Sequence, residues 1–187
     1  ILAQAQRYQS YWGEKGGITV SGGEALLQIH SLTELFRKAK ALGINTCLDT
    51  SAQPFSRETT NFSAFEELMN YTDLILLDIK HIDSNAHKQL TGWKNENILD
   101  CARYLSDIKK PVWIRHVLVP GINDDDDSLH KLRKFLDSLG NIERVEVLPY
   151  HDLGVYKWEQ LGLPYALSEV KPPTEENILH ARKILTE

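Results

Sequence analysis

The 187-residue chain carries 21 basic against 26 acidic side chains, a net charge of −5. With a pI near 5.8 it has no chain-wide basic footprint for nucleic acid, and a phosphate-tracking role is disfavoured. Length and a 42% apolar content suit one globular domain with a sizeable core, residues 1–187, while no apolar run approaches the ~20 residues of a membrane span and no signal-peptide pattern opens the chain. The two cysteines, Cys47 and Cys101, read as buried thiols of a reducing cytoplasm rather than as a disulfide or a metal clip.

In chain order, the periodicity predicts a leading helix over Leu2–Trp12 and a first strand over Ile18–Val20. A helix follows in which Leu32, Leu35, Phe36, Ala39 and Leu42 recur at three- and four-residue steps, and Gly43 ends it as a C′ residue. The second strand spans Ile44–Leu48, a helix Glu66–Tyr71, and the third strand Leu74–Ile79. Then come a helix over Ile98–Ile108, a strand over Val112–Val119, a helix over Leu129–Leu139 closed by Gly140, and a fifth strand over Val145–Leu148. Beyond the breaker Lys171-Pro172-Pro173, Ile178–Leu185 forms a terminal helix. Short β-rich runs alternating with helices argue for an α/β fold of parallel strands joined by crossover helices.

In such folds ligands sit at the C-terminal strand ends, whether the sheet is doubly wound or a barrel. Strand one delivers Gly22-Gly23-Glu24, strand two Asp49-Thr50, strand three Asp78-Ile79-Lys80, strand four Arg115 and strand five Pro149-Tyr150-His151. Two adjacent glycines let main-chain groups approach a ligand with no Cβ in the way, and Glu24 can accept from an ammonium. Ala25-Leu26-Leu27 follows where a phosphate cradle wants Lys and Ser/Thr. Asp78 and Lys80 are two apart and share a strand face, so Lys80 can meet a carboxylate. The pattern suits a zwitterionic, amino-acid-like ligand.

Elsewhere the bland readings are favoured. Asp124 to Asp127 lack the EF-hand order and precede a helix, whose free N–H groups they can cap. His81 and His87 show no His-Glu-x-x-His spacing, so zinc is disfavoured. His116 points away from Arg115 and is expected to have a protein partner, while Tyr8, Tyr11 and Trp12 suit a core or docking face.

The segments Ser21-Gly22-Gly23-Glu24-Ala25, Thr46-Cys47-Leu48-Asp49-Thr50-Ser51, Leu77-Asp78-Ile79-Lys80, Val112-Trp113-Ile114-Arg115, Val119-Pro120-Gly121 and Leu148-Pro149-Tyr150-His151-Asp152-Leu153-Gly154 stand in this order. Together with Val170-Lys171-Pro172-Pro173 they make the chain resemble, over essentially its whole length, the pyruvate formate-lyase-activating family of the radical S-adenosylmethionine superfamily. The resemblance implies a partial (β/α)6 TIM-like barrel and a cytoplasmic oxidoreductase of anaerobic glucose metabolism. Its cofactors would be S-adenosylmethionine and a four-iron, four-sulfur cluster. Reductive cleavage would give a 5′-deoxyadenosyl radical that takes a hydrogen atom from a glycine of pyruvate formate-lyase. A low-potential donor such as flavodoxin or ferredoxin would supply the electron. By resemblance, Gly22, Gly23 and Glu24 hold the methionyl amine, Asp78, Ile79 and Lys80 line the methionyl carboxylate, and His151 contacts the nucleoside. Asp49, Thr50 and Asp78 match positions that coordinate a monovalent cation.

One family feature is missing. No C-x-x-x-C-x-x-C occurs, and three thiolates cannot come from Cys47 and Cys101. The expectation is a fragment without its first βα unit and cluster loop, inactive by itself, or else a degenerate paralogue. Two other classes compete: a Schiff-base lyase or aldolase using Lys80 as nucleophile, and a non-catalytic binding module that docks a partner through Asp124–Asp127.

Overall fold

A computed structural model describes residues 1–13, 16–59 and 61–187. Five strands, β1 (Gly17–Val20), β2 (Asn45–Thr50), β3 (Leu74–Asp78), β4 (Val112–Leu118) and β5 (Ile142–Pro149), pair in the order β1-β2-β3-β4-β5. Gly17 to Val20 lie beside Asn45 to Leu48, and Cys47 to Thr50 beside Leu74 to Leu77, both in parallel. The bonds Ile75 N to Pro111 O and Ile79 N to Arg115 O advance in step along β3 and β4, as do Val112 N to Asn141 O and Tyr150 N to Leu118 O along β4 and β5. A doubly wound sheet reverses its order at a switch point, and this one does not. The topology is therefore the sequential one of a β/α barrel, with five strands in an open order.

The helices are α1 (Leu2–Gln6), α2 (Ile29–Ala41), α3 (Phe62–Asn70), α4 (Ser84–Thr91), α5 (Glu96–Asp107), α6 (Asp126–Asp137), α7 (Val155–Gln160) and α8 (Glu175–Thr186). Local chemistry sets most ends. Gly43 follows α2 at φ +70°, the left-handed cap expected of it. Asp125 caps α6, accepting from Ser128 N, and Thr174 with Asn177 forms a capping box on α8. The predicted leading helix is shorter than expected: α1 stops at Gln6, and a 3-10 turn at Gln9–Tyr11 follows. It buries no residue and has no side-chain cap, so nothing offsets the cost of helix nucleation. Tyr8 and Tyr11 are exposed rather than in a core. Helix α4 lies in a stretch with no strong apolar period, yet Asp83 caps its start and Gly92 at φ +84° its end.

The described residues form two compact units. The first comprises Ile1–Asp78, Glu96–Ile114 and Leu139–Arg144, the second Ile79–Asn95, Arg115–Ser138 and Val145–Glu187. In the first, α2 packs on α3 and on β2, burying Leu32, Phe36 and Ala39 together with Leu48, Leu68, Ile75 and Leu77. Each of the leucine, isoleucine and phenylalanine side chains contributes about 1.5–3 kcal/mol by leaving water. Strands β2 and β3 alternate buried and half-exposed residues, with Thr46, Leu48, Thr50, Ile75 and Leu77 on the buried face. Phe55, Phe62, Phe65 and Tyr104 form an aromatic cluster with centroid separations from 4.9 to 6.0 Å. In the second unit α6 packs on α8, burying Leu129, Leu132, Leu136, Ala181 and Leu185.

Two charged groups tie distant turns of the first unit. Lys110 Nζ donates to Met69 O and Thr72 O at 2.8 and 2.7 Å, taking up carbonyls at the end of α3; burial pushes its ammonium below the usual lysine range. Asp73 accepts from Lys40 Nζ at 2.7 and 2.8 Å and from Thr46 N at 2.8 Å. Burial works to raise the Asp73 carboxyl, but the Lys40 ammonium and the Thr46 N–H outweigh it and hold it below the ordinary value. A lowered carboxylate pKa stabilises the fold above its unfolded-state value and loses that contribution as pH falls through the folded one. With both partners more than a third exposed, solvent screening limits the effect. Asp73→Asn is expected to cost about 1 kcal/mol at pH 7 and much less below pH 3, by urea unfolding at both. Equal losses at the two pH values would refute the assignment.

Candidate functional site

The Gly22-Gly23-Glu24 loop leaves β1 and enters a 3-10 turn over Ala25–Gln28 that leads into α2. Gly22 sits at φ +145°, a conformation side chains rarely allow, and a Cβ at Gly22 or Gly23 would meet open space. The bare backbone of this loop is thus exposed, as a ligand needs. The Glu24 carboxylate is engaged by the protein itself. Its Oε1 accepts from Leu26 N at 3.1 Å and Thr50 Oγ1 at 2.6 Å, and its Oε2 from Ser51 N at 3.0 Å and Ser51 Oγ at 2.7 Å. A carboxylate has about four lone-pair sites, and four protein donors fill them. Glu24 therefore clasps the glycine loop to the end of β2.

The end of β2 is held tightly in turn. Thr50 Oγ1 accepts from Ala52 N at 2.9 Å, and Ala52, fully buried, lies in the left-handed region at φ +55°. That conformation costs a non-glycine residue about 1–2 kcal/mol, and such strain gathers where structure serves a site. Asp49 and Asp78 lie on the half-exposed face of β2 and β3; since Asp49 is level with Leu76, Asp78 is one pleat further along. Toward the strand starts the same face is apolar, an open groove of about 530 Å³ lined by Ile18, Cys47, Leu74, Leu76 and Trp113 among others. Polar groups thus gather where the strands end.

The second unit holds Ile79, Lys80 and His151. Ile79 is buried, Lys80 half-exposed and His151 exposed. Beside His151, Tyr150 is buried, its hydroxyl 2.8 Å from that of Tyr165; burial, then this bond, push its phenol up to about 12. The four aspartates of 124–127 are each engaged within the second unit. Asp124 accepts from Gly121 N, Asp125 from Ser128 N, Asp126 pairs with His180 and Asp127 with Lys131. Helix capping and ion pairing account for their placement. His81 and His87 are likewise buried with protein partners.

An iron–sulfur cluster does not fit the residues present. Cys47 lies in β2 and Cys101 in α5, and burial pushes the Cys101 thiol far above its ordinary value, the opposite of a ligand thiolate. No group of three His, Cys, Asp or Glu side chains suited to a metal occurs among the described residues, and among them no helix is long and apolar enough to cross a membrane. The glycine loop, by contrast, leaves open space beside its main chain, room that the amino-acid part of S-adenosylmethionine could use.

Comparisons with known proteins agree. The family model of the radical SAM superfamily matches residues 1–132. A pyruvate formate-lyase-activating enzyme of Streptococcus mutans is 52% identical over 185 residues, 99% of this chain and 70% of that protein. One of Staphylococcus epidermidis is 54% identical over 175 residues, 93% of this chain and 70% of that protein. The crystal structure of a domain of pyruvate-formate lyase-activating enzyme from Bacteroides vulgatus superposes with a TM-score of 0.74 at 27% identity, covering 91% of this chain and 92% of that one. A sequential parallel sheet, a bare glycine loop at its first strand end and identity above half with the Streptococcus and Staphylococcus relatives lead to one conclusion: the chain belongs to the pyruvate formate-lyase-activating enzyme family of the radical SAM superfamily.

Proposed function

We propose that this chain is the S-adenosylmethionine-binding part of a cytoplasmic enzyme that activates pyruvate formate-lyase by installing a glycyl radical. The observation that carries the reading is the Gly22-Gly23 loop, its backbone open and its position locked by Glu24 on Thr50 and Ser51. The main chain of Gly22 and Gly23 takes the methionyl amine, with Glu24 setting the loop. Asp78, Ile79 and Lys80 serve the methionyl carboxylate, Lys80 as the cation, and His151, exposed after β5, serves the nucleoside. Asp49, Thr50 and Asp78 are the strand-end positions assigned to a monovalent cation, with the two carboxylates on the half-exposed face. An iron–sulfur cluster, for which this chain has no thiolate set, would supply the electron for cleaving the cofactor, with a donor of the flavodoxin or ferredoxin kind as its source.

The test joins the chain to the cysteine-bearing N-terminal segment of a relative. With reductant, S-adenosylmethionine and pyruvate formate-lyase, the joined protein is expected to give the glycyl doublet in electron paramagnetic resonance, weakened at least tenfold by Asp78→Ala or Lys80→Ala. A protein that loads its cluster yet gives no doublet overturns the reading. A borohydride-trapped adduct on Lys80 with a carbonyl substrate would favour the Schiff-base chemistry instead.

A further inference from the structure

Past Asp78 the segment Ile79–Asp83 is no longer in a strand, and buried carbonyls there need other partners. Within the second unit, four consecutive ones are taken by side chains. His116 Nδ1 donates to Ile79 O at 2.8 Å, Asn123 Nδ2 to Lys80 O at 2.8 Å, and Asn95 Nδ2 to His81 O at 2.9 Å and Ile82 O at 2.8 Å. Each of the three donors is at most 2% exposed. Asn123 also donates to Val117 O and accepts from Val119 N, so one amide ties the end of β4 to the main chain of Lys80. His81 continues the set: its Nδ1 accepts from Asp83 N, which leaves Nε2–H to donate to Ile122 O.

Most buried polar groups are bonded simply because leaving them unbonded is costly. That general rule does not explain why three buried polar side chains, from the loop before α5, from β4 and from the loop before α6, converge on a single five-residue stretch. Buried side-chain bonds that converge on one stretch favour a single geometry, and the residue at its centre with a half-exposed charged side chain is Lys80. A cation that must meet a carboxylate gains from a fixed root, because less freedom remains to be lost on binding.

We propose that Asn95, His116 and Asn123 are positioning residues for Lys80, holding the carbonyls of Ile79 to Ile82 so that the Lys80 ammonium meets the carboxylate of S-adenosylmethionine from a preset backbone. This rests on the assignment of Lys80 to that carboxylate. Two measurements on the 187-residue chain separate the two ideas: amide hydrogen exchange without ligand, and titration with S-adenosylmethionine followed by amide chemical shifts. Asn123→Ala is expected to speed exchange at the Ile79 and Asp83 amides about tenfold relative to those of α6, and to weaken S-adenosylmethionine about fivefold. Lys80→Ala weakens it at least as much, and the double variant is no weaker than Lys80→Ala alone, since Asn123 acts through the lysine. Unchanged exchange, unchanged affinity in Asn123→Ala, or a fully additive double variant overturns the clamp while Lys80 keeps its role. Unchanged affinity in Lys80→Ala, or no response of the parent chain to the cofactor, overturns the Lys80 assignment and the clamp's purpose with it. Should Asn123→Ala fail to fold, Asn95→Ala, which leaves the Lys80 carbonyl held, runs through the same cycle.

Discussion

Glu24→Ala is expected to destabilise the chain by about 2–4 kcal/mol, the largest effect of any single change at the candidate site. The carboxylate accepts four hydrogen bonds from Leu26, Thr50 and Ser51, and bonds to a charged partner contribute about 1.5–3 kcal/mol each when water cannot replace them. Glu24 is only half-buried, so water recovers part of that sum. Loss of the cap on the following turn adds about 1 kcal/mol. Glu24→Gln keeps one accepting oxygen and turns an NH2 group toward the other donors, so it is expected to restore less than half. The readout is the urea midpoint at constant slope, with exchange at the Ser51 amide as the local measure. A loss below about 1 kcal/mol in Glu24→Ala, with Ser51 still protected, would mean that the clasp is ornamental and the glycine loop is held by something else.

The second large effect is spectroscopic. Anaerobic reconstitution of the chain with iron and sulfide is expected to leave no stoichiometric four-iron cluster, judged by visible absorption. Such clusters are held by cysteine thiolates; Cys101 is buried in α5 with its thiol pushed up, and Cys47 sits on β2, so the two could not converge with a third ligand that does not exist. A Cys47→Ser, Cys101→Ser double variant should behave as the parent does. Four irons and a broad absorption band in the parent, lost in the double variant, would contradict both the cysteine argument and the division of labour in which this chain supplies only the cofactor's organic contacts.

Both expectations depend on long-range geometry that residue patterns do not carry. Beside two glycines, Glu24 suggests an acceptor for a ligand ammonium, and its near neighbours do not reveal its protein partners. Its partners lie 26 and 27 residues away, and nothing between them says that β1 and β2 would bring Thr50 and Ser51 under its oxygens. Asn95 and Asn123 raised no signal at all. Asparagine in a polar loop is ordinary, and only the folded chain shows that both amides are buried and spent on backbone carbonyls. The one available hint was Asn123 directly before the aspartates that cap α6.

What the residues determined by themselves was local or periodic. The alternation of apolar strands and amphipathic helices placed all five strands within a few residues, because burial on a pleat or on one helix face leaves its period in the sequence. Gly43 and Asp125 marked helix ends, since left-handed caps and N-caps need those residue types at those positions. The glycine pair and the Asp78–Lys80 pair marked the ends of the first and third strands. Tertiary structure alone decided which polar groups meet: Glu24 with Thr50 and Ser51, Asp73 with Lys40 and Thr46, and His116, Asn95 and Asn123 with the main chain around Lys80. The physical reason is that a hydrogen bond needs its partners within about 3 Å, a condition set by strand order and helix packing over the whole chain, whereas a helix cap or a buried stripe is satisfied by neighbours a few residues away.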